Sequence, residues 1–199
     1  MNLSIIERMA RDGDMSVDAL RYLLSCKGEC EWLDFKEKIH IDQDSELCNF
    51  ARDVLGIKNI GGGYIVVGVQ DKSWEPIGLK EPLPYDTKML RDKIRMAAAV
   101  DIDLDIVHHR IYLPDSTGLF ALIFIRSSRK RQKRRSPTLA AKDFNTQRGC
   151  CIRRGDIFVR KGDSTVRIST RNDLEDLLDH LEEQTDHDAL TQTGRVSPF

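Results

Sequence analysis

Along the chain, the spacing of apolar and polar positions switches repeatedly between a helical and a strand period. Ser16 can cap a helix through DALRYLLS, with Leu20, Leu23 and Leu24 on one face, and Gly28 ends it. Over Trp32–Lys36, Leu33 and Phe35 alternate with Trp32, Asp34 and Lys36, the two-residue period of a strand. Asp44 or Ser45 opens a second helix, in which Leu47, Phe50, Ala51 and Val54 recur at helical spacing toward a glycine-rich break, Asn59–Gly63. The following YIVVGV is apolar on both faces, which predicts a central strand covered on both sides.

Asp71–Ser73 reads as a turn and Trp74–Gly78 as a short return segment. A helix follows around Thr87–Ala99, then strands over Ile102–His109 and Leu119–Ile125 separated by a Pro-Asp-Ser-Thr-Gly turn. Next come a basic loop, short strands at Cys150–Arg154 and Ile157–Arg160, and a terminal helix from about Thr170 to Glu183. Thr170 and Asp173 form the N-terminal signature of that helix. Alternating helices and strands followed by clustered strands predict a mixed α/β (α+β) fold, one mixed sheet with flanking helices. Residues 1–14 read as an N-terminal extension, 15–185 as the domain, and 186–199, without apolar periodicity, as a flexible tail.

Hydrophobic residues make up 40% of the 199, enough for one core, and charged residues 32%. The longest apolar runs, Tyr64–Val69 and Leu119–Ile125, are too short to span a bilayer, and the first residues lack a signal-peptide core, so no membrane partner is expected. Five cysteines are an odd number and suggest no disulfide framework; free thiols in a reducing, cytoplasmic setting are expected. Cys26-x-x-x-Cys30, Cys150-Cys151 and His108-His109 fit no standard zinc spacing. There is no P-loop motif, so no nucleotide cofactor is expected, and no acyl-transfer signature.

The net charge of −1 conceals a strong asymmetry: residues 126–135 read RSSRKRQKRR, and 173–188 read DLEDLLDHLEEQTDHD. Arg129, Lys130, Arg131, Lys133, Arg134 and Arg135 form a basic loop suited to neutralising phosphates, although a solvated loop would look the same. Arg160 and Lys161, beside Gly162, are a second phosphate candidate. Few aromatics accompany these charges (Phe144 and Phe158), which favours structured RNA or duplex DNA over single strands.

Four segments, in order, resemble the Schlafen core and AlbA_2 family. Glu29-Cys30-Glu31-Trp32-Leu33-Asp34-Phe35-Lys36 is similar to the family's E-S-x-x-L-E-F-K. Phe50-Ala51 with Asn59-Ile60-Gly61-Gly62-Gly63-Tyr64-Ile65-Val66-Val67-Gly68-Val69 resembles F-A-N-T-x-G-G-x-x-x-x-G-V, with extra residues before Asn59. Asp71 stands where the strand-ending Asp falls, and Phe158-Val159-Arg160-Lys161-Gly162-Asp163-Ser164-Thr165 is similar to Y-V-R-x-G-S-S-x.

The resemblance implies a nucleic-acid-binding domain. In its nuclease members, acids at the positions of Glu29, Asp34 and Asp71 hold Mg²⁺ or Mn²⁺, a hard cation that suits carboxylate oxygens and supports RNA cleavage. On that pattern the chain would be a divalent-metal-dependent endoribonuclease acting on structured RNA such as tRNA, with Lys36 able to touch the scissile phosphate. The alternative is a non-catalytic AlbA_2-type DNA-binding or transcription-regulatory module. Glu29 is an odd number of residues from Asp34, so strict alternation would place them on opposite faces; a shared site needs Glu29 on the bend after Gly28. Larger Schlafen proteins join two such lobes, and in this chain a homodimer would supply the second.

Overall fold

The computed structural model of the chain describes residues 1–113, 116–127 and 136–193. Helices α1 (Leu3–Asp12) and α2 (Val17–Ser25) precede strand β1 (Leu33–Lys36), helix α3 (Asp44–Asn59) and strand β2 (Gly62–Val67). Helix α4 (Thr87–Ala98) and strands β3 (Leu104–Leu113) and β4 (Ser116–Arg126) follow. Two hairpins, β5 (Phe144–Thr146) with β6 (Gly149–Ile152) and β7 (Phe158–Lys161) with β8 (Ser164–Arg167), lead to helix α5 (Arg171–Thr193).

The main sheet has the order β1-β2-β4-β3. β1 runs parallel to β2 with Asp34 opposite Ile65, and β2 is antiparallel to β4 with Ile65 opposite Ile123. α1 and α2 cover one face, where Ile6, Leu20 and Leu23 pack on Tyr64, Val66 and Phe124. α3 and α4 cover the other, where Val54, Leu90 and Ile94 pack on Ile65, Val67 and Ile123. The expected central strand is thus buried on both sides, and Ser16 caps α2 by accepting from the Ala19 N–H at 3.1 Å. Asn59, the last residue of α3, secures the β7 region: its amide donates to Phe158 O at 2.8 Å and its oxygen accepts from the Thr138 N–H at 2.7 Å.

Several elements differ from the pattern-based expectation. The N-terminal residues form α1, whose end is fixed by Tyr64: the phenol oxygen lies 2.7 Å from Met9 O and 2.9 Å from Asp14 O. Ser116–Gly118, expected in a turn, belong to β4 and pair with Ile111–Leu113. β5 and β8 carry too short an apolar alternation to be read, and α5 continues past Glu183 to Thr193. α5 buries Leu177 and Leu181 against Ile60 and Val159. The reading of all cysteines as thiols is corrected: Cys48 on α3 and Cys151 on β6 form a disulfide with Cα atoms 6.4 Å apart. Packing of β6 on α3 brings them together across a sequence separation of 103, which spacing arguments cannot see. Cys26, Cys30 and Cys150 are free, and no helix among the described residues is long and apolar enough to cross a membrane.

The glycine break is filled by protein. A Cβ on Gly62, whose φ is +97°, would sit 2.7 Å from Ile125 O, and one on Gly63 2.5 Å from Trp32 O. Both glycines therefore let β2 run against its two neighbours. Gly62→Ala combines a left-handed backbone with a backbone clash, so it should destabilise the fold by about 2–3 kcal/mol, at about 2–4 °C of Tm per kcal/mol. A melting curve unchanged from wild type would contradict this packing.

Candidate functional site

β1 is an edge strand, and its outward N–H and C=O groups need partners. The chain enters it through a tight turn in which Cys30 and Leu33 exchange backbone hydrogen bonds, at 3.0 and 3.2 Å. Glu29 lies on the bend before that turn, as a shared site requires, and its Oε1 accepts from the Phe35 N–H at 3.0 Å. The Glu29 carboxylate therefore closes the free edge of the strand.

Leu33 and Phe35 point into the core against α1 and α2, so Asp34 and Lys36 turn to the α3 side of the sheet. Asp34 is only 2% exposed. Arg160 of β7, 3% exposed, donates from Nη1 to Asp34 Oδ1 at 2.9 Å. Its Nη2 reaches Glu29 Oε2 at 3.5 Å and Leu33 O at 3.4 Å. Lys36 Nζ pairs with Asp34 Oδ2 at 2.8 Å and with Asp53 of α3 at 2.7 Å. Asp53 also accepts from Thr165 of β8 at 2.7 Å. Three carboxylates thus face two cations in a water-poor pocket.

The titration behaviour follows from that imbalance. Burial raises the Glu29 carboxyl, and the charge of Asp34 adds to the rise against the pull of the Phe35 N–H and Arg160. Burial likewise raises Asp34, opposed by Lys36 and Arg160. Burial alone would lower Lys36, but Asp34 and then Asp53 outweigh it and hold the ammonium charged well above its ordinary range.

Of the residues expected to act together, Glu29, Asp34 and Lys36 converge. Asp71 does not join them. It sits exposed in the turn after β2, four residues past Val67, the register partner of Lys36. Among the described residues no group of three or more His, Cys, Asp or Glu is placed to hold a metal ion. Both Asp34 oxygens face cationic side chains and Glu29 seals the strand edge, so these donors do not fit a shared Mg²⁺ or Mn²⁺ in this arrangement. Arg160, expected to touch a phosphate, is an internal counter-charge. Lys161 is half-exposed and pairs with Asp173 at 2.6 Å; that hydrogen bond, followed by the one from Thr170, holds Asp173 at about 2. Arg129, Lys130, Arg131, Lys133, Arg134 and Arg135 lie outside the described residues. Three of the zinc candidates are committed elsewhere: His108 Nε2 accepts from the Leu83 N–H, His109 Nε2 donates to Met15 O, and Cys151 is in the disulfide.

Sequence reasoning missed the inward role of Arg160 and the part played by Asp53. Two signals were available. Arg160 shares its strand face with Phe158, which is fully buried. Asp53 has no basic residue three or four positions away on its helix, so its partner had to come from elsewhere in the fold.

The family model described as Schlafen, AlbA_2 matches residues 29–169, which contain the whole ion-pair network. No curated protein matches the sequence. Among solved structures, the DIP2311 protein from Corynebacterium diphtheriae is 19% identical with a TM-score of 0.44, over 75% of this chain and 30% of that one. The chain thus spans about a third of that protein's length.

Two measurements check the network. Arg160→Met removes one of the two cations on buried Asp34, leaving only Lys36, which is shared with Asp53. It should cost about 3 kcal/mol in chemical denaturation, the low end for a broken buried pair. Glu29→Gln keeps an acceptor for the Phe35 N–H but removes a carboxyl whose folded value is raised above its ordinary 4.5. A raised acid stabilises the fold below its unfolded value, and that contribution is lost as pH rises through the folded value. Relative to wild type, Glu29→Gln should therefore gain stability from pH 4.5 upward. A relative loss over that range would reverse the assigned sign.

Proposed function

The chain belongs to the Schlafen AlbA_2 family, whose membership points to nucleic-acid binding, and from that premise we propose that it binds structured nucleic acid without cutting it. The observation that carries the reading is the state of Asp34. A divalent cation there would have to displace Arg160 and Lys36, which would then lose the counter-charge that compensates their burial. Asp71 would also have to reach the pair from its separate turn. The carboxylates act as a buried fastening, and affinity comes from basic side chains outside it, chiefly the loop at 129–135.

The second reading is the divalent-metal-dependent endoribonuclease acting on structured RNA such as tRNA. One observation favours it: Glu29 and Asp34 converge on a single guanidinium in a pocket with an excess of negative charge. One experiment separates the two. The purified chain is incubated with tRNA, duplex DNA and single strands, in Mn²⁺ and in EDTA, beside Asp71→Asn. Binding without cleavage, equal in Mn²⁺ and EDTA, is the expected result. Cleavage that needs Mn²⁺ and disappears in Asp71→Asn would replace the binding reading with the nuclease one. Replacing the six basic loop residues with Ala should weaken binding and flatten its salt dependence, by about 0.9 in slope for each duplex-DNA phosphate that is no longer neutralised.

A further inference from the structure

Beyond the basic loop, the β5–β6 hairpin forms a second concentration of positive charge. The pairing extends past the two strands: the Ala140 N–H donates to Asp156 O at 2.9 Å and the Gly155 N–H to Ala140 O at 2.8 Å. The result is a short ribbon, Phe144–Thr146 paired with Gly149–Ile152, with Phe144 opposite Ile152 and Thr146 opposite Gly149. It is closed at its base by a tight turn over 153–156 that is tied to Ala140. Its inner side is anchored, since Ala140 and Ile152 are buried in the core against α3 and Cys151 is bonded to Cys48. Arg148 at its tip, Arg153 and Arg154 in the base turn, and Lys142 just before β5 are all exposed.

The two acids of the ribbon do not neutralise these cations. Asp143 accepts from the Arg154 backbone N–H at 2.7 Å. Asp156 accepts from the Arg153 backbone N–H at 2.8 Å and pairs with Arg167 at 3.2 Å. Both carboxylates serve the backbone of the very arginines whose guanidinium groups have no ion-pair partner among the described residues. Asp44 borders the cleft beside Arg148 at the ribbon tip without forming an ion pair with it. The ribbon is thus an anchored element whose cations have no side-chain counter-charge among the described residues, and holding such charges together without a counter-ion is costly.

We infer that the ribbon is a phosphate-binding surface for duplex DNA, with Lys142, Arg148, Arg153 and Arg154 touching the backbone; this rests on the nucleic-acid-binding reading above. Arg148 at the tip and Arg153 at the base are five residues apart, roughly 16 Å at about 3.3 Å per residue. That length suits a B-form major groove about 12 Å wide, which admits a two-stranded ribbon with cations at both walls. The deep, narrow major groove of A-form RNA does not admit one. Phe144, the ribbon's aromatic residue, is half-buried against the core, so it offers no stacking platform for single strands.

The test is a salt titration of binding to a labelled duplex DNA and, in parallel, to an RNA duplex of the same sequence. It compares wild type, each single Arg→Ala at 148, 153 and 154, the triple Arg→Ala and the triple Arg→Lys. Each single substitution should lower the slope of log Kobs against log salt by about 0.9, and the triple by about 2.7. The triple Arg→Lys should keep most of the wild-type slope. The single variants keep the result independent of whether the triple folds. Unchanged slopes in a wild type that does bind duplex DNA would overturn the ribbon assignment alone. Reduced slopes confined to an A-form RNA duplex would overturn it in favour of RNA. A wild type that binds no nucleic acid would overturn the functional reading as well.

Discussion

A charged carboxylate buried on an edge strand constrains the rest of this structure. Asp34 belongs to the alternating strand that places Leu33 and Phe35 in the core, so its side chain must face α3, where water is scarce. Leaving one partner of such a pair uncompensated typically costs about 3–5 kcal/mol. Lys36 of the same strand meets Asp34 Oδ2 but is shared with Asp53, and Arg160 on β7 supplies a second cation, at Oδ1, across 126 residues. Once Arg160 is fixed there, the β7–β8 hairpin has little choice of position. Asn59 holds its backbone at one point, and Asp53 holds Thr165 at another.

The edge of β1 imposes the second requirement. Its outward N–H groups would template pairing with another chain if left open. Leu33 satisfies its own through Cys30, and Phe35 satisfies its own through the Glu29 carboxylate. The two acids that share the Arg160 guanidinium are thus placed by different needs, one by strand alternation and the other by strand-edge closure. Their mutual repulsion is a consequence, relieved by the single guanidinium between them.

How legible this was in the sequence depended on the range of the interaction. The core of α2, α3 and α4, and the strand beginning at Tyr64, announce themselves because period and burial agree over many residues. The ordered motifs around Glu29, Gly62 and Arg160 identified the family, and the bend position of Glu29 was what parity and the shared site implied by the resemblance together required. What could not be read were partnerships across the fold. The pattern gives no warning that Arg160 turns inward onto Asp34, that Cys48 meets Cys151, or that Asp71 stays apart from the other two acids. β5 and β8, with mostly exposed or half-exposed residues, have no apolar period to detect. α1 was hidden by its alternating charges, although Ile6 and Ala10 carry its buried face.

A nearly neutral chain can still present a strongly positive surface, and the ion pairs explain how. Asp34 and Asp53 are engaged inside the network, Asp143 and Asp156 on backbone N–H groups, and Asp173 on Lys161. Formal charge counts these acids at full weight, but their fields are largely cancelled where they stand. The cations of the ribbon have no such partners among the described residues, so their field extends into solvent. With a Debye length of about 8 Å at physiological ionic strength, a polyanion at the ribbon responds to those nearby charges and scarcely to the acidic α5 when it lies farther off. Net charge is therefore a poor guide to what this surface attracts; the distribution of unpaired charge decides it.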